Sequence, residues 1–183
     1  MELGKTSYVI LGMLRLGRST GYEIKALVDV STRFFWAASY GQIYPELKRL
    51  EDAGLIAGED KAQGGRQRRA FTLTPLGEEA LETWVASGGP LHTELRHEGM
   101  LRFFFADAAS PEEQIGLLQT MRAEHERTRD EISAIRPGAE AARDEKGEQF
   151  PLMTAEFGIA YHEFIASWCS ETERRLVNEA KGS

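Results

Sequence analysis

The architecture turns on one stretch, Ser39-Tyr40-Gly41-Gln42-Ile43-Tyr44-Pro45-Glu46-Leu47-Lys48-Arg49-Leu50-Glu51. Ile43, Leu47 and Leu50 recur at helical spacing, which sets three aliphatic side chains on one face. Ser39 is a good N-cap, and Gly54 is free to take the left-handed conformation that ends a helix. The other faces carry Ser39, Tyr40, Gln42, Lys48 and Arg49. A helix that enters a major groove needs this division: an apolar face held in a core and polar side chains shown to base edges. Gln42 suits bidentate bonding to adenine, while Ser39, Tyr40, Lys48 and Arg49 suit phosphates or base edges. An ordinary amphipathic helix has the same composition, so the stretch alone does not select between the two. Pro45 cannot donate to the Gly41 carbonyl, so residues 41–44 are expected to form a distorted lead-in to a helix that starts at Pro45. Tyr44 either packs against the following hairpin or touches a phosphate.

Upstream, Tyr8, Ile10, Leu11 and Leu14 mark a first helix over Ser7–Leu16. The turn Gly17-Arg18-Ser19-Thr20-Gly21 leads into a second helix carrying Tyr22, Ile24, Leu27 and Val28, with Ser19 or Thr20 as its cap. That helix runs into the aromatic cluster Phe34-Phe35-Trp36. Downstream, Leu55-Ile56-Ala57 and Arg69-Ala70-Phe71-Thr72-Leu73 read as two strands joined by the Gly-bearing turn Ala62-Gln63-Gly64-Gly65-Arg66. Thr74 caps a fourth helix with Pro75 in its first turn. Three helices and a hairpin follow the winged helix-turn-helix order. Residues 61–69 hold Lys61, Arg66, Arg68 and Arg69 and no acid. A basic turn directly after a helix-turn-helix pattern favours a wing on phosphate or minor groove over a merely solubilising turn.

Gly88-Gly89-Pro90 is the best internal boundary, dividing a DNA-binding domain (1–87) from an α-helical dimerisation domain (88–183). Helices are expected over 91–106, 111–135 and 149–180, with Pro137-Gly138 and a polar run to Glu148 separating the last two. In the last, Met153, Phe157, Tyr161, Phe164 and Trp168 form an aromatic stripe. With Phe103-Phe104-Phe105 and Leu118, that is more apolar surface than a small helical tail buries alone, so a subunit interface is expected. The expected class is mainly α with a small β-hairpin: an N-terminal winged helix-turn-helix and a C-terminal antiparallel helical dimerisation region.

The 183 residues carry a net charge of −7, unusual for a nucleic-acid binder until the chain is divided. Residues 1–87 hold 11 basic and 11 acidic side chains; residues 88–183 hold 11 and 18. The acidity belongs to the second half, and DNA affinity depends on where cations sit rather than on the total. No apolar run reaches the roughly 20 residues that span a bilayer, and Met1-Glu2-Leu3-Gly4-Lys5 does not open a signal peptide, so a cytoplasmic protein is expected. Cys169 is a lone cysteine, which excludes an intrachain disulfide, and it reads as a small buried hydrophobe. His92, His97, His125 and His162 are dispersed without metal-ligand spacing, so no metal or other cofactor is expected. No GxSxG, P-loop or GxGxxG occurs, and nothing points to an enzyme. Phe34, Phe35 and Trp36 either stack on a flat effector or simply pack.

Several segments carry a family resemblance. Tyr8-Val9-Ile10-Leu11-Gly12-Met13-Leu14, Gly21-Tyr22-Glu23-Ile24, the stretch from Ser39 to Glu51, Gly54-Leu55-Ile56 and Phe71-Thr72-Leu73-Thr74-Pro75-Leu76-Gly77 together resemble the PadR-like transcriptional regulators. The second half resembles the long helical region of the larger members. The resemblance implies a homodimer that places two third helices in successive major grooves of a palindromic operator. It also implies repression relieved by a small, often aromatic, molecule. Two departures stand out: Phe71 where many members have Tyr, and Ala37-Ala38 in place of a more polar or Pro-containing lead. The alternative is a small-molecule sensor or co-regulator acting mainly through protein contacts.

Overall fold

A computed structural model describes residues 3–63, 66–88, 91 and 95–182, with side chains at all of these except 61–63, 66–68 and 180–182. The elements are α1 (Lys5–Arg15), α2 (Gly21–Val30), a 3-10 turn (Thr32–Phe34), α3 (Tyr40–Asp52), β1 (Ile56–Gln63), β2 (Arg66–Leu73) and α4 (Pro75–Ala86). There follow α5 (Glu98–Phe104), a second 3-10 turn (Ala106–Ala108), α6 (Pro111–Lys146) and α7 (Gln149–Gly182). The expected class, mainly helical with one small antiparallel hairpin, is what the chain adopts. It divides into two compact units, Met1–Leu91 and His92–Ser183.

The first unit is built from helices that each have one apolar stripe. Ile10 and Leu11 of α1, Ile24 and Val28 of α2, and Ile43, Leu47 and Leu50 of α3 meet in one core with Ile56, Phe71 and Leu81. Fully burying each such side chain stabilises the fold by roughly 1.5–3 kcal/mol relative to exposure. Tyr8 stacks on Trp84, 4.4 Å between ring centroids, and so joins α1 to α4. Thr20 caps α2 in a reciprocal box: its hydroxyl accepts from the Glu23 N–H, and the Glu23 carboxylate accepts from the Ser19 and Thr20 N–H groups. Those backbone donors and the Ser19 hydroxyl outweigh partial burial and hold the Glu23 carboxyl below the usual carboxylate range.

β1 and β2 pair antiparallel from Ile56↔Leu73 to Gln63↔Arg66. The strands therefore run through positions expected to form the turn. Near the root of the hairpin the Phe71 N–H donates to the Ser19 carbonyl at 2.6 Å, tying β2 to the α1–α2 turn. Thr74 then caps α4, its hydroxyl accepting from the Gly77 N–H and donating to the Gly54 carbonyl.

Two expectations about proline are corrected. α3 is helical from Tyr40, and Pro45 lies inside it rather than at its first turn. Gly41 and Pro45 are both exposed, so water reaches the carbonyl that Pro45 leaves without a donor. α6 likewise runs unbroken through Pro137 to Lys146, where Gly147 adopts a left-handed conformation and ends it. Pro137 and Gly138 are exposed as well, and α7 packs alongside just before them, at Ile132 and Arg136.

In the second unit the cross-helix pairs run in opposite directions. Gln119 and Arg122 meet Glu173, His125 meets His162, Ile132 lies against Gly158, and Arg136 meets Glu156. α6 and α7 are therefore an antiparallel pair, as the two-residue connection requires. Leu118, Met121 and Cys169 form its buried centre, with Phe103 of α5, Ile165 and Trp168 against them. The helix expected over 91–106 is shorter: among the described residues it is α5 followed by the 3-10 turn.

Candidate nucleic-acid interface

α3 presents Ser39, Tyr40, Gly41, Gln42, Tyr44, Pro45 and Lys48 to solvent while Ile43, Leu47 and Leu50 are buried. This is the division a recognition helix requires, and the core beneath holds it rigidly. The individual side chains are less free than their types suggest. The Ser39 N–H and hydroxyl both donate to Gln42 Oε1, at 2.9 and 3.0 Å. Bidentate reading of adenine needs that same oxygen. Gln42 thus reads a base through its amide N–H alone or by releasing Ser39.

Tyr44 packs against Gly21 at the start of α2. A Cβ at Gly21 would lie 2.9 Å from Tyr44 Cε1, so only glycine permits this approach. Tyr40 stacks beside Tyr44 at 6.1 Å, with the Lys25 ammonium 5.3 Å from the Tyr40 ring. Two rigid phenols and Lys48 therefore stand on the exposed side of α3.

Arg49 turns back towards α1. Its Nε and Nη2 donate to Glu46 at 2.9 and 2.6 Å, Nη2 also donates to Ser7 Oγ at 3.0 Å, and the Ser7 hydroxyl donates to Glu46. The Arg49 hydrogen bond, aided by Ser7 and opposed by partial burial, holds the Glu46 carboxyl below the usual range. Ser7 is fully buried, so this network satisfies a hydroxyl inside the α1–α3 contact. Arg69 is tied in the same manner, donating to Glu51 on α3 and, at 3.0 Å, to Asp60 on β1. It braces the hairpin against α3. The side chains of Lys61, Arg66 and Arg68 lie outside the described residues; their backbone is strand, with Lys61 opposite Arg68.

The aromatic cluster does not continue α2. Phe34 ends a 3-10 turn and is half-buried beneath the Arg33 guanidinium, 4.7 Å away, whereas Phe35 and Trp36 are exposed. In the second unit the stripe on α7 splits. Trp168 packs edge-on against Phe103 at 5.4 Å, and Tyr161 faces His125, whereas Met153, Phe157 and Phe164 are exposed. Cys169 is buried, and burial pushes its thiol up against a weaker opposing pull from Arg122.

Sequence spacing missed one constellation. His97, His125 and His162, from three different elements, lie in a hydrogen-bonded row. His92 falls outside the described residues.

A helix-turn-helix followed by a hairpin and a capped fourth helix defines a winged-helix regulator. A profile of the "Transcriptional regulator PadR-like family" matches residues 10–83, and one described as "Virulence activator alpha C-term" matches 95–177. The chain is 35% identical over 113 residues to "Negative transcriptional regulator PadR" of Bacillus subtilis, covering 61% of this chain. That alignment spans 62% of the relative's length, so the chain matches about three-fifths of it. A crystal structure of Bacillus subtilis PadR in complex with operator DNA superposes with a TM-score of 0.85 at 25% identity, covering 96% of this chain and 99% of that one. A second, in complex with p-coumaric acid, gives 0.78 at 22% identity over 96% and 98%. The chain belongs to the PadR-like family of transcriptional regulators, in the form with a long helical C-terminal region. That family regulates transcription and is not one of enzymes.

Proposed function

We propose that the chain is a homodimeric, operator-binding repressor released by a small aromatic acid. The observation that carries this is the exposed polar face of α3, anchored by three buried aliphatic residues beside a hairpin of basic sequence. Ser39, Tyr40, Gln42, Tyr44 and Lys48 supply the α3 contacts, and Lys61, Arg66 and Arg68 the wing contacts. Arg49 and Arg69 act mainly by holding α3 and the wing in place, because their guanidinium groups are already engaged. Such a regulator works in the compartment that holds the DNA, the cytoplasm. Among the described residues no helix is long and apolar enough to cross a membrane.

Binding of the purified protein to its own upstream DNA across a salt series tests the reading. A sequence-specific complex of dimer size that weakens steeply with salt supports it. Equal affinity for unrelated DNA counts against it.

The dimer reading rests on α7. Phe157 and Phe164 are 71% and 66% exposed, with Phe150 and Met153 exposed beside them. Large aromatic residues in such a row are favoured at subunit contacts. Phe157→Glu with Phe164→Glu is expected to give a helical monomer in sedimentation velocity and to weaken operator binding by at least about a hundredfold, because two half-sites no longer bind as one. A double variant that stays dimeric moves the interface elsewhere. The effector reading extends to this chain the p-coumaric acid bound by the Bacillus subtilis protein. Exposed Phe35 and Trp36, with Phe34, are candidate stacking partners, and operator release by p-coumarate is the direct assay.

A further inference from the structure

The three histidines share one hydrogen-bonded chain whose proton positions are dictated from one end. The Met100 N–H donates to His97 Nδ1 at 3.2 Å, making His97 the N-cap of α5. A nitrogen that accepts carries no proton, so neutral His97 is protonated at Nε2. That N–H faces His125 Nε2 at 2.9 Å, which therefore accepts. His125 is then protonated at Nδ1 and donates to His162 Nδ1 at 2.8 Å. His162 must accept there and carry its own proton on Nε2.

One neutral tautomer of each ring satisfies every contact in the row. The row is no metal site: His125 spends opposite ring nitrogens on two neighbours, so no point is shared by all three. Among the described residues no group of three or more ligating side chains is arranged to hold a metal ion.

We infer that this chain is a proton-sensitive latch on α5, closed when the histidines are neutral and opened by a single added proton. A proton on His125 Nε2 sets two N–H groups face to face unless His97 gives up its own Nε2 proton. His97 must then carry its proton on Nδ1, which confronts the Met100 N–H and abolishes the cap. A proton arriving at His162 Nδ1 forces the same shift through His125 to His97. Each route ends at the first turn of α5. The packing there is tight, since a Cβ on Gly99 would lie 2.7 Å from Met121 Cγ and 3.1 Å from His97 Cε1.

The surroundings favour neutral rings. His125 is 9% exposed. Burial, then His162 and His97, push it down to about 4, and burial followed by His97 also lowers His162. The charged and titratable groups nearby, by element, are Glu98 and Arg102 on α5, Arg122 and Glu124 on α6, and Tyr161 and Glu163 on α7. Of these only Glu124 pulls His125 upward, and it is itself paired with Arg127. Since the unfolded chain binds a proton at His125 near 6.5 and the folded chain near 4, the closed latch is fully stable above about pH 6.5 and weakens as pH falls towards 4.

The full-length protein serves for the test, by hydrogen–deuterium exchange of the α5 amides corrected for intrinsic rates. Between about pH 7.5 and pH 4, where about half of the His125 rings carry the added proton, exchange at Met100 and Leu101 should rise about threefold, half occupancy of the roughly fivefold effect of losing one N-cap, while amides around Ile132 hold steady. His97→Asn keeps a capping oxygen but removes the proton path, and its α5 exchange should not respond to pH. An equal rise in the variant, or none in the wild type, overturns the latch. Nitrogen-15 spectra of the wild-type imidazoles provide a check independent of the variant's folding. At neutral pH His97 should be the Nε2–H tautomer and His125 the Nδ1–H tautomer; the reverse assignment at either ring overturns it.

Discussion

Gly77→Ala should lower the thermal stability of the first unit sharply, although alanine is the better helix former. A Cβ at Gly77 would lie 2.0 Å from the Leu55 carbonyl oxygen and 3.2 Å from Leu73 Cδ2. The obstacle is backbone, and it is fixed from both sides. The Leu55 carbonyl accepts from the Thr74 N–H at 3.2 Å, and the Leu55 N–H donates to Leu50 at the end of α3. Relief requires moving α4, the end of α3 or the root of the hairpin. Alanine gains about 1 kcal/mol over glycine in a helix. Overpacking against a well-filled site costs about 1–3 kcal/mol and more when the backbone must shift. The second effect wins by an expected ~2 kcal/mol, a drop of roughly 8–16 °C for a unit of this size. Gly12→Ala in α1 is the matched control. Nothing lies within 4 Å of a Cβ there, so the propensity gain should appear alone and the melting temperature should hold or rise. Thermal melts by circular dichroism separate the cases, and a Gly77→Ala protein that melts with the wild type would refute the packing at the α4 cap.

Much of the first unit was legible because its signals are local. The stripe Ile43, Leu47, Leu50, the Thr20 cap and the Thr74-Pro75 helix start lie within a few residues of what they organise. The two interior prolines were misread for one physical reason. A missing hydrogen bond is a local cost, but whether water reaches the freed carbonyl, as it does at exposed Gly41 and Ser133, is decided by how the helix sits in the fold. Long-range satisfaction also hid the state of the arginines. Arg49 has the chemistry of a phosphate contact, yet the serine it bonds stands at position 7. Arg69 reads as a wing cation until Glu51 and Asp60 are seen around it. The histidine row has no local spacing at all, since positions 97, 125 and 162 meet only when α5, α6 and α7 pack.

That difference among the arginines leads to the prediction of largest effect on DNA binding. Arg66→Ala with Arg68→Ala should weaken operator affinity by about three orders of magnitude at roughly 0.15 M salt, whereas Arg69→Ala should leave the salt dependence nearly unchanged. The estimate rests on counterion release, in which each phosphate neutralised contributes about 0.9 to the slope of log K against log salt. In the proposed dimer, two arginines on each of two wings would make four contacts, so the slope should fall by between about three and four. Arg69 differs because two carboxylates already neutralise it. The Glu51 and Asp60 hydrogen bonds raise its pKa, and the Arg69 hydrogen bond draws Glu51 below the usual range. Removing Arg69 frees those acids near the wing, so a modest uniform loss of affinity is expected without a matching loss of slope. Fluorescence anisotropy on an operator duplex at four or five salt concentrations measures both quantities. Equal slope losses for Arg69 and for the Arg66 and Arg68 pair would mean that Arg69 leaves its carboxylates when DNA arrives. Unchanged slopes in every variant would remove the wing from the interface and leave the phosphate contacts to α3, where Lys48 would be the next residue to replace.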